Sequence, residues 1–376
     1  MRVLLKRYLL VVSFFLNISL FAQQGDKNDF YIRGAFNYGF IMQQHNSIGD
    51  LVNGYIGGFE LNYVKPSTGS KLWHYENNFP ERGIGFTYFN LDNPKQLGNL
   101  YATYLFYDVP LNKKAKPFRL YFRLCDGLSY VPVHYDPLTN HKNEVISSPI
   151  NQYINFKWYY RWDITKWLRW EAGLSFAHSS NGRFEVPNLG INLVTLNTSF
   201  IYKFHAKEKT PITIIDSSTK AKSKNEFLFW LAYGGNQFGE PGGKRYLAQS
   251  YSAAYYRNKR NTHKFGIGLD VYYNAANLAQ LKDDGVPVSS KWENIQVGAK
   301  LAYAYNIGRL SFPIEMGYYL YTKYKSDGIF FHRIGFRYYF KNNITAIFTL
   351  KTNWGVANYI EFGVGYRLYL KPKIKT

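Results

Sequence analysis

The sequence predicts an all-β protein, an antiparallel transmembrane β-barrel of about 12–16 strands, on three observations. The first is an export signal. Arg2, Lys6 and Arg7 precede an apolar run from Tyr8 to Leu20, followed by Phe21-Ala22-Gln23. That is a basic leader, a short apolar core and a small residue at the cut, so residues 1–22 read as a signal peptide. A membrane-spanning helix would need ~20 apolar residues, and this run is shorter. The second is composition: mean hydropathy is only −0.33, yet aromatic residues make up 19% of the chain. Tyrosine alone numbers 35. Lipid-facing walls and interfacial girdles of a barrel use aromatics in this way. The third is repeated alternation of apolar with polar residues over strand-length segments. A secreted sandwich or propeller also alternates, but does not need this aromatic load.

In chain order the strand candidates fall near 30–41, 53–64, 83–91, 98–109, 118–130, 152–161, 168–178, 193–204, 226–233, 249–256, 264–273, 292–305, 311–322, 329–340, 344–351 and 359–369. Each is close to the ~9–11 residues of a tilted membrane strand. Phe118, Leu120, Phe122 and Leu124 oppose Arg119, Tyr121 and Arg123. Ile154, Phe156, Trp158 and Tyr160 oppose Asn155, Lys157, Tyr159 and Arg161. Ile360, Phe362, Val364, Tyr366 and Leu368 oppose Glu361, Gly363, Gly365 and Arg367. Charges on one face and aromatics on the other fit a polar interior and an apolar exterior.

Residues 23–376 are therefore expected to form the barrel. Long connections (Lys65–Arg82, Pro132–Asn151, Asn274–Lys291) are expected outside the cell and short turns in the periplasm. The Lys/Ser-rich segment His205–Asn225 resists that scheme and marks a half-boundary as one account. Gly173–His178 also echoes Gly268–Tyr273, with Tyr273 in place of His178; two halves of ~8 strands are one account of it and chance similarity among strands the other.

Net charge is +21. A basic chain commonly binds nucleic acid, but an exported one rarely meets it, so no nucleic-acid partner is expected. The anionic partner available at the outer face of a Gram-negative cell is lipopolysaccharide, whose lipid A phosphates attract Lys and Arg. Cys125 is the one cysteine, so there is no disulfide framework within the chain. His45, His74, His134, His141, His205, His263 and His332 show no ligand spacing, and neither a metal nor another cofactor is expected.

The chemistry concentrates in Leu168–Phe204, which reads as a hairpin. On its rising arm Leu168, Trp170, Ala172, Leu174, Phe176 and His178 share one face. On its returning arm Asn192 has the parity of Val194, Leu196, Thr198, Phe200 and Tyr202. If those faces meet lipid, a polar cluster sits on the outer wall, where titratable groups are costly and commonly functional. His178 and Ser180, two apart on a strand end, emerge on one side, as a base and a nucleophile must. Asn192 can accept from the other imidazole nitrogen and fix its tautomer. Asn181, Gly182 and Arg183 can supply oxyanion donors, glycine letting the chain turn an N–H outward. The bland alternative is a solvated Ser-Asn-Gly turn.

The run His178-x-Ser180-Asn181-Gly182, then Pro187-Asn188-x-Gly190-x-Asn192, resembles the active-site hairpin of the lipid A 3-O-deacylase (PagL-type) family. Longer Bacteroidetes-type acyloxyacyl hydrolases are similar over the whole chain. The resemblance implies an outer-membrane barrel that hydrolyses the ester-linked acyl chain at the 3-position of lipid A without a metal. It assigns His178 as base, Ser180 as nucleophile and Asn181 with Gly182 as the oxyanion region. Where the family has a catalytic Glu this chain has Asn192, which can orient an imidazole but cannot stabilise imidazolium by charge. Glu185 is the nearest carboxylate in the loop. The expectation is an outer-membrane serine esterase acting on lipid A in the outer leaflet, with Trp170, Phe176 and Phe200 against the acyl chain and Arg183 toward phosphate. The alternatives are a non-catalytic porin, transport or structural barrel, and an outer-membrane phospholipase.

Overall fold

Backbone amides and carbonyls that face hydrocarbon must bond within the protein, so a sheet spanning a membrane has to close on itself. The structure, a computed structural model describing residues 30–112, 118–204 and 225–370, closes twice. The strands of the first barrel are β1 (Tyr31–Ile41), β2 (Tyr55–Lys65), β3 (Glu81–Asn93), β4 (Gly98–Pro110), β5 (Phe118–Tyr130), β6 (Ile150–Asp163), β7 (Leu168–Ser180) and β8 (Ile191–Lys203). Each pairs antiparallel with its neighbour, and β8 returns to β1 in a register that sets Ile41 against Leu193. The second barrel comprises β9 (Asn225–Gln237), β10 (Arg245–Arg260), β11 (His263–Asn274), β12 (Ile295–Ile307), β13 (Leu310–Tyr321), β14 (Phe330–Tyr339), β15 (Ile344–Asn353) and β16 (Val356–Tyr369), and closes from β16 onto β9.

All sixteen expected strands are present at close to their expected positions, but as two barrels of eight strands rather than one spanning 23–376. Hydrophobic alternation is local and identifies each strand; it carries nothing about which distant pair shuts the ring. Residues 1–29 and 205–224, which include the expected signal peptide and nearly all of the expected half-boundary, lie outside the described residues. The echo between Gly173–His178 and Gly268–Tyr273 does not mark equivalent places, since β7 is the seventh strand of one barrel and β11 the third of the other.

Chain direction assigns the loops to barrel ends. Residues 131–149 join β5 to β6 at the same end as 181–190, which join β7 to β8. Lys65–Arg82, expected at that end, lies at the opposite one because it joins β2 to β3. It folds there into a short helix, Leu72–Glu76.

The exterior is apolar and the interior charged. In β7 and β8 Leu196 is 69% exposed and Phe200 49%, whereas Glu171 is 2% exposed. Eight strands leave an interior that side chains can fill. In the first barrel Arg33 meets Asp108 at 2.9 Å, and Arg123 holds the same carboxylate at 2.6 and 2.8 Å. Arg161 forks onto Glu81 with two bonds of 2.8 Å. In the second, Arg333 reaches Glu361 at 2.7 Å, Glu315 at 2.8 Å and Asp270 at 3.0 Å, its guanidinium lying 4.5 Å from the Trp230 ring centre. Lys300 joins Asp270 to Glu315 at 2.9 and 2.8 Å. These ions are buried to within a few percent, so each is compensated by its partners and not by water.

Two outcomes follow for the barrels themselves. Arg333→Ala leaves three interior carboxylates short of a cation and should lower unfolding stability by about 3–5 kcal/mol, read from denaturant unfolding in detergent micelles. An unshifted transition would show that the network does not hold the second barrel. The folded protein should also give no conductance steps in planar bilayers, because the interiors are occupied by ion pairs.

Candidate active site

The site is built where β7 runs out of its ladder. In β7 the odd residues point inward: Ser175 and Ser179 are buried, and Ser179 Oγ lies 2.6 Å from Ser129 Oγ in the interior. His178 and Ser180 therefore point outward, as period two requires. Across the ladder His178 faces Asn192 on β8. These three side chains make one chain of contacts: His178 Nε2 lies 2.9 Å from Ser180 Oγ, and His178 Nδ1 lies 2.6 Å from Asn192 Oδ1. An amide oxygen only accepts, so Nδ1 carries the proton and Nε2 is left as acceptor for the serine hydroxyl. Ser180 is 6% exposed and Asn192 3%.

Loops at this end of the first barrel hold the hairpin tip. The Leu189 N–H donates to Glu144 O at 3.1 Å and the Gly190 N–H to Val145 O at 2.8 Å. Gly190 has φ +82°, and a Cβ there would lie 2.6 Å from His178 Cε1. Only glycine allows both the backbone turn and the close passage of the imidazole.

The expected oxyanion residues divide. Asn181 is next to Ser180, but its backbone N–H donates to Asn188 Oδ1 at 3.1 Å and its amide nitrogen donates to Ser147 and Ser148 at 3.0 Å each. Those donors are committed to holding the loop. Gly182 and Arg183 group with the second compact unit, which takes residues 182–186 along with the strands β9 to β16. There the Gln237 N–H donates to the Arg183 carbonyl at 3.0 Å. Glu185, the nearest carboxylate in sequence, pairs with Arg245. Trp170, Phe176 and Phe200 share the outward face with His178, and the Trp170 indole N–H donates to Thr198 Oγ1 at 2.9 Å.

Three residues of this surface carry no role in the sequence reading. Among the described residues Asn188 Nδ2 is buried without a hydrogen-bond partner, beside the residue that follows Ser180. Gln152 on β6 is directly paired with Ser180, and its amide nitrogen donates to Asp126 on β5. Asp126, Ile154, His178 and Asn192 form one cross-strand row on the outer face. The available signal was parity: Asp126 interrupts Leu124 and Leu128, and Gln152 precedes Ile154 and Phe156, on the lipid-facing face of each strand. Among the described residues no cluster of His, Cys, Asp and Glu is arranged to hold a metal ion.

Comparison with known proteins gives matches to both barrels. Residues 57–200 match the profile of lipid A 3-O-deacylase (PagL), and residues 225–371 that of the acyloxyacyl hydrolase C-terminal domain. No curated protein sequence matches the chain. Among solved structures, Neisserial surface protein A (NspA) is similar at 13% identity over 46% of this chain and 97% of its own, with a TM-score of 0.31. The outer membrane enzyme PagL is similar at 13% identity over 44% of this chain and 97% of its own, with a TM-score of 0.28. A Rhodopseudomonas blastica porin triple mutant is 8% identical over 90% of this chain and 99% of its own, with a TM-score of 0.17. With one profile on each ring of strands, the first barrel belongs to the lipid A 3-O-deacylase (PagL) family and the second to the acyloxyacyl hydrolase C-terminal domain family.

Proposed function

We propose that this outer-membrane lipid A deacylase cuts the ester at the 3-position with Ser180 as its nucleophile, after export directed by residues 1–22. The observation that carries the reading is the unbroken contact from Ser180 Oγ through His178 to Asn192 Oδ1 on the outer wall. An ester of a membrane glycolipid reaches that wall by sliding laterally in its own leaflet, with no need to leave the bilayer. The aromatic outer face around Trp170, Phe176 and Phe200 suits the acyl chain.

In the first half-reaction Ser180 Oγ bonds to the ester carbonyl carbon while His178 Nε2 takes the hydroxyl proton. The carbonyl electrons move to oxygen, and Asn188 Nδ2, a donor without another partner, is suited to that oxyanion. Collapse breaks the bond to the sugar oxygen, which takes the proton from Nε2 and departs as a hydroxyl. Water then attacks the acyl-serine, His178 receives its proton and returns it to Ser180 Oγ, and the fatty acid leaves. Asn192 orients the ring throughout but adds no charge to the imidazolium. The reaction needs no metal in this account.

The direct test is a mass spectrum of lipid A from cells with and without the protein. The wild type should remove one acyl chain's mass, and Ser180→Ala should leave lipid A intact; a shift that survives in that variant would end the mechanism. Release of fatty acid from phospholipid vesicles without lipopolysaccharide would assign the same site to phospholipid instead. Gly190→Ala should lower kcat about 100-fold, since the new methyl displaces the imidazole and small displacements of a reacting group cost that much. Wild-type turnover in that variant would show that the ring has room to move.

A further inference from the structure

Neutral amides and imidazoles do not fix their own orientation: either ring nitrogen can carry the proton, and an amide can turn its oxygen or its nitrogen to a neighbour. In a site whose third member is a carboxylate the question does not arise, because both oxygens accept. Here the third member is Asn192, and something else has to decide which end of its amide meets His178.

The structure contains that element in the connection between β1 and β2. Asn192 Nδ2 donates to Gln44 Oε1 at 2.6 Å, and Gln44 Nε2 donates to the backbone carbonyl of Leu189. Leu189 sits in the loop between β7 and β8, and its own N–H is bound to Glu144 O. A backbone carbonyl can only accept, so it is the one group in the chain without an alternative role. Reversing Gln44 would set its oxygen against the Leu189 oxygen. Reversing Asn192 would set its oxygen against Gln44 Oε1 and turn its nitrogen toward His178 Nδ1. Each link is therefore oriented by the one before it, from Leu189 O to Gln44, to Asn192, to His178 Nδ1–H, and so to a bare Nε2 at Ser180.

We infer that Gln44 is a positioning residue for the esterase reaction: through Asn192 it selects the imidazole tautomer that can act as base toward Ser180. The inference rests on the esterase reading of the hairpin and adds to it a residue from a different hairpin, supplied at the seam where β1 meets β8. The hydrogen bonds of the Gln44 side chain go to Asn192 and to the Leu189 carbonyl and not to Ser180, so Gln44 acts on the serine only through other residues.

The test is a pair of backgrounds. Gln44→Leu keeps the side chain's bulk and removes both of its hydrogen bonds. In the wild type it should lower kcat about tenfold with little change in KM, because ground-state lipid binding is untouched. In an Asn192→Glu background the same substitution should cost less than about twofold, since a carboxylate needs no partner to orient it. Equal losses in the two backgrounds would show Gln44 to be a structural support only, and would overturn the inference. A second readout does not depend on turnover: ring 15N shifts of His178 should report Nδ1–H in the wild type and a mixture of tautomers in Gln44→Leu. An unchanged tautomer in Gln44→Leu also overturns it. Failure of the unsubstituted protein to hydrolyse lipid A would count against the esterase reading, and the nitrogen shifts would still decide the role of Gln44.

Discussion

The obligation to leave no backbone group unpaired in hydrocarbon shapes this protein more than any other constraint. It forces β8 back onto β1, and that seam does more than remove an edge. It brings the start of β8, with Asn192, beside the end of β1. The Met42 N–H donates to Asn192 O at 2.8 Å, and Gln44 follows two residues later. The strand that closes the barrel is therefore also the strand that carries the third member of the site. Sheet closure thus places Asn192 and Gln44 side by side at the candidate site.

A second consequence is the inversion of inside and outside. In a water-soluble enzyme chemistry usually lies in a cleft and the core is apolar. Here the interior of each barrel holds a mesh of Arg, Lys, Asp and Glu with tyrosines packed among them, in the first barrel beside an apolar cluster that includes Ile56, Phe89 and Leu100, while His178, Ser180 and Asn192 sit on the outer wall. The interior charges cannot be solvated from outside, so they are mutually satisfied, as Arg333 with three carboxylates and Arg123 with Asp108 illustrate. The polar groups on the wall face the same requirement. His178, Ser180 and Asn192 meet it by bonding to one another, and Gln152 donates to Asp126 Oδ1, although Asp126 Oδ2 has no hydrogen-bond partner among the described residues. Polar groups paired in this way can persist beside lipid.

The first barrel thus combines a rigid interior with a rim of loops locked to each other. Asn181 ties to Ser147 and Ser148, Gly190 to Val145, Leu189 to Glu144 and Gln44. These bonds hold the tip of the β7–β8 hairpin from both of its neighbours at that end, which keeps the imidazole within reach of the hydroxyl despite the site's position at a strand end. Gly190 makes this compactness feasible, because no side chain intervenes between the returning loop and the ring. The second barrel is held by its own ionic interior and has its own closing register.

Period-two alternation was enough to locate the strands and to assign inner and outer faces, because in a barrel that pattern is imposed locally by lipid on one side and packed ions on the other. The same parity set His178, Ser180 and Asn192 on one wall before any contact was known, and it held the unread signal of Asp126 and Gln152. What the sequence could not carry was closure and cross-loop pairing. Two barrels of eight strands in place of one of sixteen, the commitment of the Asn181 donors to Ser147 and Ser148, the open donor of Asn188 and the arrival of Gln44 at Asn192 all depend on residues far apart in the chain. Such meetings are set by registers across the sheet and by where loops land. Only the folded backbone decides those.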